Sequence, residues 1–200
     1  MSFNTGGGMV LFHDFSVRDW MLFAGNICMV ITGIFYITWW TSAFKPDSSA
    51  PSSVTSAFLM GTIGAGFAWL ILFGLGIAAP VPHAAAFPQW LIPVCAAAAY
   101  IVLLELSIHV FKRQTTSELF IMLLWAMGEL WAVFSLYAAG RFSIPSVVIL
   151  SLLILLATAA GYICYLKYYT LEGMDSFIDG VIPLAADSCI AVIILIVQAL

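Results

Sequence analysis

From Val17 onward the chain alternates long apolar runs with short polar breaks, and each run approaches or exceeds the roughly 20 residues a helix needs to cross a bilayer. The runs predict six spans: Val17–Phe44, Val54–Ala79, Pro88–Phe111, Glu118–Ala139, Pro145–Tyr169 and Met174–Leu200. The breaks "KPDSSAPSS" and "APVPH" are rich in proline and serine, and proline cannot continue a helix because it lacks the N–H. "KRQTTSE" stops the third run by charge. Ser117 before Glu118, and Asp175 before "SFID", place side-chain oxygens where the first N–H groups of a helix need acceptors. Trp20, Trp39, Trp40, Trp90, Tyr168 and Tyr169 fall at predicted span ends, where amphipathic rings favour the headgroup region.

The expected fold is therefore all-α: a polytopic membrane protein with six transmembrane helices in one bundle over 17–200. A flexible or interfacial lead is expected over 1–16, with a glycine run and no basic start or cleavage site of a signal peptide, so that the first span acts as the insertion signal.

Composition agrees. Of 200 residues, 64% are hydrophobic and 8% charged, against about a quarter charged in a soluble domain. Mean hydropathy is +1.10. So little polar surface could not cover a globule in water. The net charge of −4, with no basic patch, excludes a phosphate-binding role on nucleic acid. Cys28, Cys95, Cys164 and Cys189 lie in apolar segments without a CxxC pair, so they read as small buried hydrophobes, and no metal or cofactor is expected. Lys45, Lys112, Arg113 and Lys167 fall on one side and Arg18 and Arg141 on the other, which predicts a cytoplasmic first side and both termini outside a plasma or inner membrane.

Ala57, Gly61 and Ala65 repeat at four-residue spacing in the second span, a small-xxx-small row that lets helices approach closely within the bundle or between copies in a homo-oligomer. "WLIPVCAAAAYIVLL" lines up loosely with "GVIPLAADSCIAVII", pairing Pro93 with Pro183, and "GNICMV" pairs more weakly with "GELWAV". Three spans per half would make this a 3+3 inverted repeat, with chance matching as the competing explanation.

Four polar residues interrupt the apolar runs: Asn26, Glu105, Glu129 and Asp187. An ionisable group at the bilayer centre costs about 2.5–3.5 kcal/mol on insertion scales, and usually faces a partner or a water-filled cavity. Glu129, between Trp125 and Trp131, and Asp187 both fall near mid-span, with no mid-span lysine or arginine to neutralise them. A shared proton, a bound cation, or hydrogen bonds from neighbouring helices must do so. Glu172, Asp175, Asp179, Pro183 and Asp187 share one sector of the last helix at 100° per residue, forming an acidic stripe from its start to mid-membrane. Pro183 also removes the donor to the Asp179 carbonyl. Glu105 and His109, at i and i+4, form either a proton relay or a static pair. His13 and His83 read as solvated.

These residues point to a transport protein, a channel or secondary carrier for a small polar or cationic solute. Glu129, Asp187, Asn26, Asp179 and Pro183 would line the pathway, and coupling or gating by protons would use the carboxylates. The alternative is a non-catalytic membrane subunit or scaffold. An enzyme is disfavoured: paired metal-binding histidines, a GxSG serine and a DxxD motif are all absent from the spans. In size, span number and outside termini the chain resembles the acid-gated urea and amide channels, with "AFLMGTIG" and "IDGVI" as local likenesses. Its fifth span, "SVVILSLLILLATAAGYICYLKYY", lacks the tryptophans expected of that family, and no residue role is carried over.

Overall fold

A computed structural model describes residues 15–46, 48–79, 88–113, 117–168 and 170–199. The readings made for 1–14, His13 among them, and for His83 lie outside these residues. The described chain is helical: α1 Val17–Phe44, α2 Ser52–Ala78, α3 Leu91–Glu105, α4 Ser117–Ala138, α5 Ile144–Tyr168 and α6 Gly173–Ala199. A five-residue π-helical turn, Leu106–Val110, extends α3. Counting α3 with that turn, six helices are long and apolar enough to cross a membrane, as a multi-pass membrane protein requires.

Local chemistry sets the helix ends. Ser16 and Asp19 form a reciprocal capping box: Asp19 N–H donates to Ser16 Oγ at 3.2 Å, and Ser16 N–H donates to Asp19 Oδ2 at 3.0 Å. Pro51 precedes the first turn of α2, where a missing N–H costs nothing. α4 ends in a turn at Gly140, whose φ of 74° suits a residue without a Cβ.

α1 packs along α2 on one side and α6 on the other, α6 meets α5 and α4, α4 also meets α5 and touches α1, and α3 packs on α4. The interior lies between α1, α4 and α6. Met29, Val133, Ile190 and Ile194 fill a dry layer there, each at most 7% exposed. α2, α3 and α5 instead turn Phe67, Ile71, Val102 and Leu156 outward. In lipid such faces need no cover, because acyl chains are as apolar as the side chains themselves. Gly61 faces the Phe35 ring of α1, and a Cβ there would come within 3.0 Å of it. Ala65 is half-buried and Ala57 exposed, so the small-residue row admits a ring rather than a second backbone.

The helix ends sort into two groups. Arg141, after α4, pairs with Asp19 at 3.1 Å, and Arg18 Nε donates to the Gly76 carbonyl at 3.0 Å. The start of α1, the end of α2, the α4–α5 turn and the end of α6 therefore share one end of the bundle. Lys45, Lys112, Arg113 and Lys167 mark the other. Pro93 sits in the first turn of α3, whereas Pro183 lies deep inside α6, so the two prolines aligned in sequence hold different depths.

Candidate functional site

Both central acids are enclosed. Glu129 is 0% and Asp187 6% exposed, and each stands near the middle of its helix, about 18–21 Å from that helix's first residue. They stand on α4 and α6, which pack against one another. Trp125 Nε1, one turn before Glu129, donates to Glu129 Oε1 at 3.2 Å. Glu129 Oε2 is buried without a partner. Asp187 accepts no hydrogen bond from the described residues, and no basic side chain among them pairs with either acid. Two acids at this depth without a basic partner among the described residues call for positive charge or protons from elsewhere.

Asp187 faces a cavity of about 60 Å³ whose wall includes Tyr36, Trp40, Glu118, Trp125 and Pro183. Glu118 belongs to the first turn of α4, so the cavity runs from mid-membrane toward the lysine-rich end of the bundle. A recess of about 10 Å³, bounded by Gly33, Tyr36, Trp125, Asp187 and Ser188, continues it inward. Ser188 Oγ is buried there without a hydrogen-bond partner. Glycine makes this packing fit: a Cβ at Gly180 would collide with the Trp40 indole, and one at Gly33 with Ser188 Oγ. Trp40, expected at the interface, is instead 3% exposed and forms part of the cavity wall.

Beyond Ser188 the route is closed by the dry layer. Past that layer lies a second polar cluster. Asn26 Nδ2 donates to Gln198 Oε1, and Gln198 Nε2 donates to the Asp19 carbonyl at 3.4 Å. Asp19 is bound in turn by Arg141, whose guanidinium lies 4.7 Å from the Phe15 ring centroid. Asn26 thus belongs to this terminal cluster, about two helical turns from the Gly33–Ser188 level, and not to the cavity around Asp187.

The acidic stripe of α6 divides. Pro183 and Asp187 line the cavity, and the Pro183 ring also packs toward Gly161 of α5. Asp179 is half-buried outside that wall, while Glu172 and Asp175 are exposed near the helix start. Glu105 at the end of α3 and His109 on the π-turn do pair, Nε2 to Oε2 at 2.9 Å. Their side chains are 58% and 68% exposed, on the outside of the bundle and away from the Asp187 cavity. Beside them Ser107 is fully buried, its Oγ bonded to the Leu103 carbonyl and within 3.0 Å of Tyr162 Oη.

Sequence reasoning missed Tyr36, Glu118 and Ser188 in the site, and Arg18, Asp19 and Gln198 in the terminal cluster. The S-x-x-D spacing of Ser16 and Asp19 was a readable signal for the cap. Nothing local marks the others, because their partners lie in distant helices. No grouping of His, Cys, Asp or Glu able to hold a metal occurs among the described residues. Comparisons with protein-family models, curated proteins and solved structures find no match for this chain, so its functional reading rests on the site itself.

Proposed function

We propose that the protein is a non-enzymatic membrane transporter, a carrier for a small polar or cationic solute that binds at Asp187 and Glu129. The observation that carries the reading is Asp187: nine-tenths buried, unpaired, and lining a cavity that extends from mid-membrane toward one end of the bundle. A dry layer between that cavity and the terminal cluster favours a carrier, which exposes its site to one side at a time, over a continuously open channel.

A charge balance supports proton coupling. Glu129 and Asp187 with one proton between them would carry a single negative charge, which a monovalent cation neutralises. Exchanging that cation for a second proton keeps the buried charge constant, and so avoids the cost of unpaired ions at mid-membrane. Lys45, Lys112, Arg113 and Lys167 favour a cytoplasmic location for their end, with both termini outside a plasma or inner membrane and the cavity directed to the cytoplasm. The three-plus-three duplication is not required by this mechanism. A subunit or scaffold role is the second reading, favoured by the largely exposed faces of α2 and α3, which a partner or another copy could cover.

The test is flux in proteoliposomes, with candidate ions and neutral solutes supplied across a pH gradient. The carrier reading expects a solute whose flux is lost in Asp187→Asn and strongly reduced in Glu129→Gln, with both variants folded. Unchanged flux in both overturns it.

A further inference from the structure

The cavity and recess at Asp187 are not alone. A larger cleft of about 280 Å³ lies between α1, α2 and α4, walled by Met29, Thr62, Gly66, Phe67 and Leu70 among others. Tyr36 and Trp125 border all three spaces. The cleft therefore lies behind the two rings that face Asp187. Of the polar side chains around it, the Thr32 and Thr62 hydroxyls bond to the carbonyls of Cys28 and Phe58 in their own helices, while Trp69 Nε1 is buried without a hydrogen-bond partner. On one side of the Tyr36–Trp125 wall stands an acid without a hydrogen-bond partner among the described residues, and on the other an apolar volume.

Size and donor count narrow what could use both. The recess of about 10 Å³ is near the smallest space that admits a water-sized group. It is bounded by the Asp187 carboxyl and by Ser188 Oγ, a hydroxyl that can accept as well as donate and that is buried without a hydrogen-bond partner. An ammonium has three N–H donors and no acceptor, which suits this pair. Tyr36, Trp40 and Trp125 line the same cavity as Asp187, and aromatic rings attract a desolvated cation that meets their faces. A bulky quaternary head exceeds the recess. The cleft of about 280 Å³ is nearly twice a cavity known to hold benzene, so it has room for an aryl ring or roughly ten carbons of chain.

We propose that the transported solute is a protonated primary amine with an apolar tail. Its ammonium is held by Asp187 and Ser188 among Tyr36, Trp40 and Trp125, and its tail passes between Tyr36 and Trp125 into the cleft of α1, α2 and α4. This rests on the transport reading above and adds to it the substrate class. Charge selects the head, and the continuity of the cleft with the shared ring wall selects the tail.

The experiment measures binding of methylammonium and hexylammonium to the full chain in lipid nanodiscs, with empty nanodiscs subtracted. Hexylammonium is expected to bind at least about tenfold more tightly than methylammonium, and uncharged hexanol not to compete. Ser188→Ala should weaken the binding of hexylammonium by about tenfold, the loss of a hydrogen bond to a charged group. Gly66→Leu, which fills the cleft, should lower the hexylammonium-to-methylammonium affinity ratio by about tenfold. A readout that needs no variant is the anomalous signal of 6-bromohexylammonium in a crystal, expected between Gly66 and Trp125. Equal affinities for the two amines, or bromine density elsewhere, overturns the inference. So does failure of both amines to bind while another solute shows Asp187-dependent flux, an outcome that leaves the carrier standing. Absence of both amine binding and any Asp187-dependent flux overturns inference and carrier together.

Discussion

Trp125 Nε1 donates to Glu129 Oε1 at 3.2 Å within α4, and this is the single hydrogen bond found to that fully buried carboxyl among the described residues. The same indole borders the acidic cavity, its recess and the apolar cleft. One side chain thus steadies the acid and divides the polar interior from the apolar one.

Trp125→Phe keeps an aromatic ring but removes the donor and the second ring of the indole, which adds a cavity term to the loss of the bond. A buried acceptor left without its bond costs about 1–3 kcal/mol. Unfolding of the variant in detergent should show a loss of that order, accompanied by reduced flux. An unchanged melting curve would mean that the bond contributes nothing.

Gly128 and Gly64 form a paired test of the packing. A Cβ on Gly128 would run into the Trp69 indole that crosses from α2, whereas one on Gly64 would meet nothing within 4 Å. Gly128→Ala should therefore destabilise by about 1–3 kcal/mol through overpacking. Gly64→Ala should stay within about 0.5 kcal/mol of wild type. Equal effects in thermal unfolding would contradict the placement of α2 against α4.

The Arg141–Asp19 pair ties the α4–α5 turn to the start of α1, with the Asp19 side chain only 8% and that of Arg141 28% exposed. Removing Arg141 leaves a nearly buried carboxylate with only its Ser16 cap. Arg141→Ala should cost about 1–3 kcal/mol, below the 3–5 kcal/mol of a fully buried pair because Arg141 is partly exposed. Asn26→Ala and Gln198→Ala should be non-additive, with a coupling energy of about 0.5–3 kcal/mol in a double-mutant cycle.

Glu105 and His109 are more than half exposed, and no wall of the acidic cavity includes them. His109→Ala should change stability by less than about 1 kcal/mol, the usual range for exposed ion pairs. It should also leave flux within about twofold, a small effect on the barrier. A large flux defect would favour the relay reading of this pair over the static one.

What could be read in the sequence follows the range of the interaction that encodes it. The six spans emerge from uninterrupted apolar runs, a local signal, and α1 matches its expected bounds at both ends. The depth of Glu129 and Asp187 was equally readable, since it needs only a count along each helix. Facing was not. Trp40 looked like an interface anchor because it stands near the end of α1, yet the absence of a side chain on Gly180 lets its indole lie inward against α6. Asn26 looked like a pathway residue because it interrupts an apolar span, but its partner, Gln198, lies 172 positions away. Hydrophobicity in a membrane helix separates lipid from water well and one interior neighbour from another poorly, because lipid-facing and core-facing positions are both apolar.

Cysteine accessibility at two depths of α6 tests the central claim most directly. In a background with Cys28, Cys95, Cys164 and Cys189 replaced by alanine, Leu184→Cys and Ile194→Cys are exposed in turn to a small water-soluble thiol reagent in proteoliposomes. Leu184 lines the cavity and its recess, and Ile194 is 1% exposed in the dry layer. Reaction at position 184 with protection at 194 is the result predicted for a carboxylate that meets solute from one end of the bundle. Equal inertness at both positions would contradict it, leaving Asp187 sealed in a closed interior.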